Sequence, residues 1–592
     1  MGLAVSVALA VLVLPSALDL PQTNPTQTVE YAPVPPSDSD EPPPPGNVAT
    51  LGLGTSDTTS GDSLGGDQGS IGEPPPPPPG PGGAGTVPRT KRCVGNPPRQ
   101  TEDQMAPPCV GYFTGDNGGA TYQGVTRGEI VVLFYIDATQ KLSTDDGTSD
   151  QTTLRGKYVD LKSPPKSDDT VDVRNLRRFQ RFFNDRFQTY NRYVHFYAYF
   201  STADADDNIT PETRRADAAA NYAKLRPFTV LTSELKSGFE DSYIDSMAGH
   251  GVLVFGSASG SQPAAFYKKH PRLVWSYQPT IETRAALYSS YVCTKVRAQP
   301  VVDSGNQGEN GAARVYGLLS TSDPAHPELQ LYARLVQRSL SQCGVSPKVK
   351  ATFPIAGRTY QTQQEDAAAT YAKSNMAQFK NEHVTTILWV GGYETDQSRA
   401  AGNLQYYPEV ILAGDGYLEG NFDNTHQDQT FWSHATVVTP VPMILENDRD
   451  PCVQSIRQTD PSAGPQDTTW ACTGTTFYVD TRQLFTGIQV AGPKLSPDSI
   501  DQGFHAIPAV QSKDPSTPAC YYNTGDYTCV KDGTAEHWDP QGAPPGIATK
   551  GCWRMNMGGA RFTDGTWPSG NIDRGRRPDN PCNRYSPAPL IL

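Results

Sequence analysis

The stretch Glu129-Ile130-Val131-Val132-Leu133-Phe134-Tyr135-Ile136 decides the fold. Seven apolar or aromatic residues follow one Glu with no polar alternation, so neither face of the strand they form is meant for water. A strand buried on both faces belongs in the middle of a parallel sheet with helices on either side.

Downstream of it, strand and helix patterns alternate. Helical spacing over 172–192 leads to a strand at 194–199, a helix at 211–224 leads to a strand at 228–231, and a helix at 238–248 leads to a strand at 251–255 and another at 273–277. Right-handed crossovers fold such a series into a parallel sheet covered on both sides. A polar break at 303–311 precedes a second series: strands at 314–319, 348–353, 385–390 and 410–413, with helices at 327–342, 363–380 and 396–405 between them. The expected fold is therefore α/β, two doubly wound parallel-sheet lobes joined by a hinge. The expected order is a lobe over 124–302, a second over 303–440, and a return over 441–592 that goes back to the first lobe and closes the second. After residue 435 the patterns weaken. A long helix at 475–490 and a shorter one at 497–504 stand out, 508–551 reads as a disulfide-stapled loop, and 553–557 with 560–563 reads as a hairpin through Gly558 and Gly559.

Upstream, the composition changes. Residues 19–92 are mostly Pro, Gly, Ser, Thr and Asp, with proline runs at 42–45 and 74–79, and cannot bury enough apolar surface to fold. They read as an acidic tether, and the part before Arg89 holds about nine of the thirteen excess negative charges. Residues 1–18 contain an apolar run of signal-peptide length, which predicts an exported, extracytoplasmic chain. No basic stripe accompanies the pI of 5.2, which argues against a nucleic-acid partner. Ten cysteines suit an oxidising compartment. Sequence neighbours can pair locally, Cys93 with Cys109, Cys293 with Cys343, Cys452 with Cys472, Cys520 with Cys529 and Cys552 with Cys582, in a stapled lead-in over 93–123 and in the lobes, although order alone leaves other connectivities open.

Catalytic signatures are missing. Gly256-Ser257-Ala258-Ser259-Gly260 sits where a nucleophile elbow would, with Ala258 at the position that needs the nucleophile. There is no phosphate loop, no dinucleotide fingerprint and no H-E-x-x-H or C-x-x-C metal spacing, so neither a cofactor nor a metal is expected and the chain reads as a non-enzyme.

The run Gly124-Val125-Thr126 before the first strand, Gly391-Gly392-Tyr393 after the strand at 385–390, and Gly414-Asp415-Gly416 after the strand at 410–413 together resemble the type I periplasmic (solute) binding-protein family, branched-chain amino acid-binding type, of an exported actinobacterial kind. The resemblance covers about 124–423. It implies that Tyr393 contacts a ligand, that Asp415 receives its ammonium, that Ser257, Ala258 and Ser259 hold its carboxylate, and that Thr232 and Ser233 supply a cleft hydroxyl. It also implies an ABC permease or a membrane receptor as partner. Two departures point away from branched-chain amino acids: His326-Pro327 replaces the family's tyrosine-glycine, and Asp415 stands where a Glu is usual. The sequence thus predicts an exported solute-binding protein for an ABC-type importer, with a ligand sensor or, further off, a secreted hydrolase as the alternatives.

Overall fold

The computed structural model describes residues 106–107, 110, 113–138, 152–202, 210–234, 239–256, 262–324, 326–354, 366–416, 418–465, 467–468, 472, 477–507, 509, 514–544, 550–570 and 580–585. The leader and tether expected over 1–92 and the pair Cys93 and Cys109 lie outside them.

The first sheet holds β1 (Glu129–Ile136), β2 (Tyr158–Asp160), β3 (Tyr193–Phe200), β4 (Thr229–Glu234), β5 (Leu253–Phe255) and β6 (Val274–Trp275), in the order β2-β3-β1-β4-β5-β6. All its pairings are parallel except the short edge strand β2 on β3. β1 lies inside, with Ile130 and Val132 to Tyr135 fully buried, as its unbroken apolar run requires. Its lead-in depends on Gly124, whose φ is +68° and whose missing Cβ would run into the backbone of Pro227 and Phe228. The first crossover helix, Val171–Arg186, is capped by Thr170, whose hydroxyl accepts the Val173 N–H at 3.3 Å, and it presses Leu176, Phe179 and Phe183 onto the sheet. It ends earlier than 192 because Phe187 turns extended and Tyr190 and Asn191 take positive φ.

The second sheet holds β7 (Tyr316–Thr321), β8 (Val349–Phe353), β9 (Thr386–Val390), β10 (Glu409–Ala413), β11 (Ala435–Thr439), β12 (Asp532–Asp539), β13 (Cys552–Met555) and β14 (Phe562–Thr563). Its path runs β13-β12-β11-β10-β9-β7-β8, with β14 beside β12. β7 to β11 are parallel, whereas β12 runs antiparallel to β11, β13 and β14. Among their parallel strands, both sheets share one order, second-first-third-fourth-fifth. That is a doubly wound α/β arrangement built twice.

Three segments pass between the sheets. The first follows β6 and enters the helix Ile281–Tyr291, which packs Ile281, Ala285 and Tyr288 with Leu318 and Ile411 of the second sheet and Val336 of the helix Pro327–Gln342, although it precedes the polar break at 303–311. The second leaves β11 for the helices Pro451–Thr459 and Phe477–Ala491, whose Val453, Leu484 and Phe485 join the core of the first sheet. The third follows the helix Pro497–His505 and ends in β12.

Two sequence expectations fail here. β12 lies within what reads as a loop, and yet seven of its eight residues are buried. Its Asp-Gly-Thr-Ala-Glu-His-Trp-Asp lacks a β-branched run because it is held by pairing on both sides rather than by propensity. The expected hairpin is absent: β13 and β14 each pair with β12 and not with each other. Four of the expected disulfides are present, Cys293–Cys343, Cys452–Cys472, Cys520–Cys529 and Cys552–Cys582. Among the described residues no helix is long and apolar enough to cross a membrane.

Candidate functional site

In an open α/β sheet the strand order reverses at one point, and the loops leaving the carboxyl ends of the strands diverge there to leave a crevice. The reversal falls between β1 and β4 in the first sheet and between β7 and β9 in the second. Thr232 lies at the carboxyl end of β4, Tyr393 follows β9 and Asp415 follows β10. Ser233 also belongs to β4, and Ser257, Ala258 and Ser259 lie outside the described residues.

Thr232 is fully buried and its Oγ1 has no hydrogen-bond partner among the described residues. A lost partner for a buried hydroxyl costs about 1–3 kcal/mol, which makes this atom a place for a ligand group or a water. Tyr393 is 2 % exposed and packs in the second lobe's core with Trp389 and Leu418. Asp415 is buried too, and its Oδ1 accepts the Leu418 N–H at 2.8 Å, so it closes its own turn. The helix after β5 starts at Ala264, and its first N–H goes to Glu282 Oε2 at 2.9 Å, so that amide is taken and does not serve the anion site expected just after 257–259.

The structure adds residues that motif spacing does not reveal. Glu419 is fully buried behind Asp415. Its Oε2 accepts the N–H groups of Asp415 and Gly416 at 3.2 and 2.8 Å, and its Oε1 accepts the Thr439 hydroxyl at 2.6 Å. Gly414 is small because a Cβ there would strike the Glu419 carboxylate and the Val438 carbonyl, which is the physical reason for the first glycine of Gly414-Asp415-Gly416. Burial and the charge of Asp415 raise the Glu419 pKa, against the pull of Arg284. Arg284 comes from the helix after the first crossing and donates to the Gly414 carbonyl at 3.0 Å. At the end of β1, Asp137 grips the fully buried Arg214 at 2.7 Å. For Asp137, a charged residue directly after a buried strand was the available signal, since a buried charge requires a partner.

His326 opens the helix Pro327–Gln342 after β7, and its Nδ1 lies 2.9 Å from Glu328 Oε1. Burial disfavours its charged form, but the hydrogen bond and charge of Glu328, with Asp323 and Glu240, outweigh it and raise its pKa. Glu240 begins the helix Glu240–Gly249 of the first lobe. Asp241 beside it is raised by burial first and then by the charges of Asp245 and of Glu328. The loops at the carboxyl ends of β4 and β7 are thus within electrostatic range of each other, and the region between them is rich in carboxylates. Asp450, Cys452 and Cys472 also converge, but the two sulfurs are bonded together and Asp450 Oδ1 caps the Cys452 and Val453 amides.

Two doubly wound lobes define the architecture. No protein-family model and no curated protein matches the chain. Solved structures do. A solute-binding protein of an ABC transporter from R. palustris, in complex with 4-hydroxybenzoate, is 10% identical, with 74% of this chain and 97% of that chain covered at a TM-score of 0.47. The leucine-, isoleucine-, valine-, threonine- and alanine-binding protein of Brucella ovis, in its closed conformation, is 9% identical, with 74% and 97% covered at 0.46. A branched chain amino acid ABC transporter periplasmic ligand-binding protein of Burkholderia xenovorans is 10% identical, with 74% and 96% covered at 0.48.

Proposed function

We propose that the chain is an exported solute-binding protein that captures a small ligand between its two lobes and hands it to an ABC-type permease. One observation supports this most: Glu240 of the first lobe and His326 of the second lie within electrostatic range, so the crevices of the two sheets open toward each other. Three crossing segments give such lobes a natural hinge. The ligand class that fits is small and amino-acid-like, with a cationic group directed at Asp415 and a polar group satisfying the Thr232 hydroxyl. Tyr393 backs the wall of the second lobe from within its core. Of the similar proteins named above, one was solved with 4-hydroxybenzoate and another is an amino-acid-binding protein, and the carboxylate-rich surroundings of His326 favour the latter class of ligand here.

The experiment is mass spectrometry of protein purified under native conditions and then unfolded. A small molecule released in proportion to the chain supports capture. Conversion of that molecule to a product by the refolded protein would replace binding with catalysis, and crosslinking in membranes of the source would separate a permease from a receptor as partner.

A further inference from the structure

The helix Ile281–Tyr291 belongs to the second lobe by its packing: Ala285, Tyr288 and Tyr291 share a core with Leu318 and Ile411, and the Tyr288 hydroxyl donates to the Ile411 carbonyl at 2.8 Å. Its first turn differs, because it is also tied to the first lobe. The Ile281 N–H donates to the Gln262 carbonyl at 3.2 Å, and Glu282 Oε2 accepts the Ala264 N–H at 2.9 Å. Gln262 and Ala264 lie on the segment that leaves the carboxyl end of β5, and Gln262 Nε2 donates in turn to Glu240 Oε1 at 3.2 Å. The first-lobe groups held here are therefore those beside the strand ends, where an α/β sheet binds its ligand.

Two residues beyond Glu282, Arg284 reaches the other way. Successive residues of a helix are about 100° apart, so side chains at i and i+2 leave on nearly opposite sides. Arg284 Nη1 donates to the Gly414 carbonyl at 3.0 Å, directly before Asp415, and its Nη2 donates to Gln278 Oε1 at 3.3 Å in the first crossing. A guanidinium is a planar fork, so it holds those two acceptors in one geometry, which the single point of a lysine does not. Arg284 is 4 % exposed, so water competes little for these bonds. The Glu282 bond has an ionised acceptor, which makes it stronger than a bond between neutral groups. One helical turn thus grips the backbone of both lobes, with a carboxylate on one side and a guanidinium on the other, beside the crossing through which the lobes would hinge.

We propose that Glu282 and Arg284 are positioning residues that set the separation of the two cleft walls, the first holding the segment at Gln262 and Ala264 and the second the Asp415 turn. The inference rests on the two-lobe reading of the cleft.

Interlobe distances in the full chain test it. Spin labels are placed on cysteines introduced at the exposed Ala223 of the first lobe and Arg338 of the second, and the distance distribution is compared in the parent, Glu282→Ala, Glu282→Gln and Arg284→Lys. Arg284→Lys keeps the charge opposite Glu419 and loses only the fork, and Glu282→Gln keeps the length and an acceptor for the Ala264 N–H. Glu282→Ala and Arg284→Lys are expected to give a distribution about twofold wider than the parent's, as freed hinge motion requires, and Glu282→Gln one like the parent's. A parent-like distribution in Glu282→Ala or in Arg284→Lys, even with a lower melting temperature, overturns the proposal and leaves the residue as a local brace. Widening in Glu282→Gln equal to that in Glu282→Ala traces the effect to charge rather than to the bond and overturns it as well. Widening as expected, in a parent that no ammonium-bearing compound stabilises, supports the spacer and removes the amino-acid reading of the cleft. Parent-like distributions in a protein that such a compound does stabilise overturn the spacer alone.

Discussion

Asp415 and Glu419 share one tight turn: Glu419 Oε2 accepts the Asp415 N–H at 3.2 Å while the Asp415 carboxylate accepts the Leu418 N–H at 2.8 Å. Two buried carboxyl groups therefore sit at the carboxyl end of β10, with Arg284 as the opposing charge named on the Glu419 side. A cationic group admitted beside these carboxyl groups would be held strongly, because charges attract more in a poorly solvated place than in water.

Glu419→Ala removes the acceptor of the Thr439 hydroxyl and of two backbone N–H groups. Each buried donor left without a partner costs about 1–3 kcal/mol, so the variant should lose several kcal/mol in urea melts. The loss should exceed that of Asp415→Asn, whose amide oxygen can still accept the Leu418 N–H.

Glu536, fully buried on β12, is pushed up to about 8 by burial, with the neighbouring charge of Glu419 adding to it against the Asn583 hydrogen bond. Below the unfolded value of about 4.5 both states hold the proton and its stabilising effect is complete. Between there and about 8 only the folded state keeps it, so stability falls by up to about 1.4 kcal/mol per pH unit and levels off above. Glu536→Gln should flatten that decline when unfolding is measured from pH 5 to 9.

Asp137→Ala strands the Arg214 guanidinium, which is fully buried. Breaking a buried pair from one side typically costs about 3–5 kcal/mol. Replacing both residues with apolar ones of similar size should restore much of that, as a double-mutant cycle would show.

Tyr393 is a core residue by its burial, so Tyr393→Ala should destabilise the second lobe by about 3–5 kcal/mol, the usual range for truncating a buried aromatic. Tyr393→Phe keeps the ring and should cost less. If Tyr393→Ala instead weakened ligand binding and left the melt unchanged, the ring would be acting on the ligand and not on the core.

What could be read from the sequence follows from how each residue is held. β1 announces itself because burial on both faces demands an unbroken apolar run, whereas Asp415, a charged residue between two glycines directly after a buried strand, is found closing its own turn. β12 does not announce itself, because its Glu536 and His537 are tolerated inside by partners that lie far away in the chain, Asn583 for Glu536 at 3.0 Å and Asp303 near His537 at 3.8 Å. Glu419 is silent for the same reason: its acceptors' work is to hold a turn and the Thr439 side chain, and no spacing rule encodes that. No element is expected over 281–291 from the sequence, and the placement of the helix Ile281–Tyr291 on the second lobe depends on where the chain crosses, which periodicity does not carry.

The central claim, a cleft that takes a cationic group at Asp415, is tested most directly by one melt series. The full chain and Asp415→Asn are melted with each of the common amino acids, with their decarboxylated amines and with 4-hydroxybenzoate. Ligand at about 100 times its dissociation constant stabilises the native state by about 2.7 kcal/mol, enough for a measurable rise in Tm. The account predicts that at least one ammonium-bearing compound raises the Tm of the parent and that Asp415→Asn loses most of that rise. A shift produced only by 4-hydroxybenzoate, or one of equal size in parent and Asp415→Asn, would contradict it.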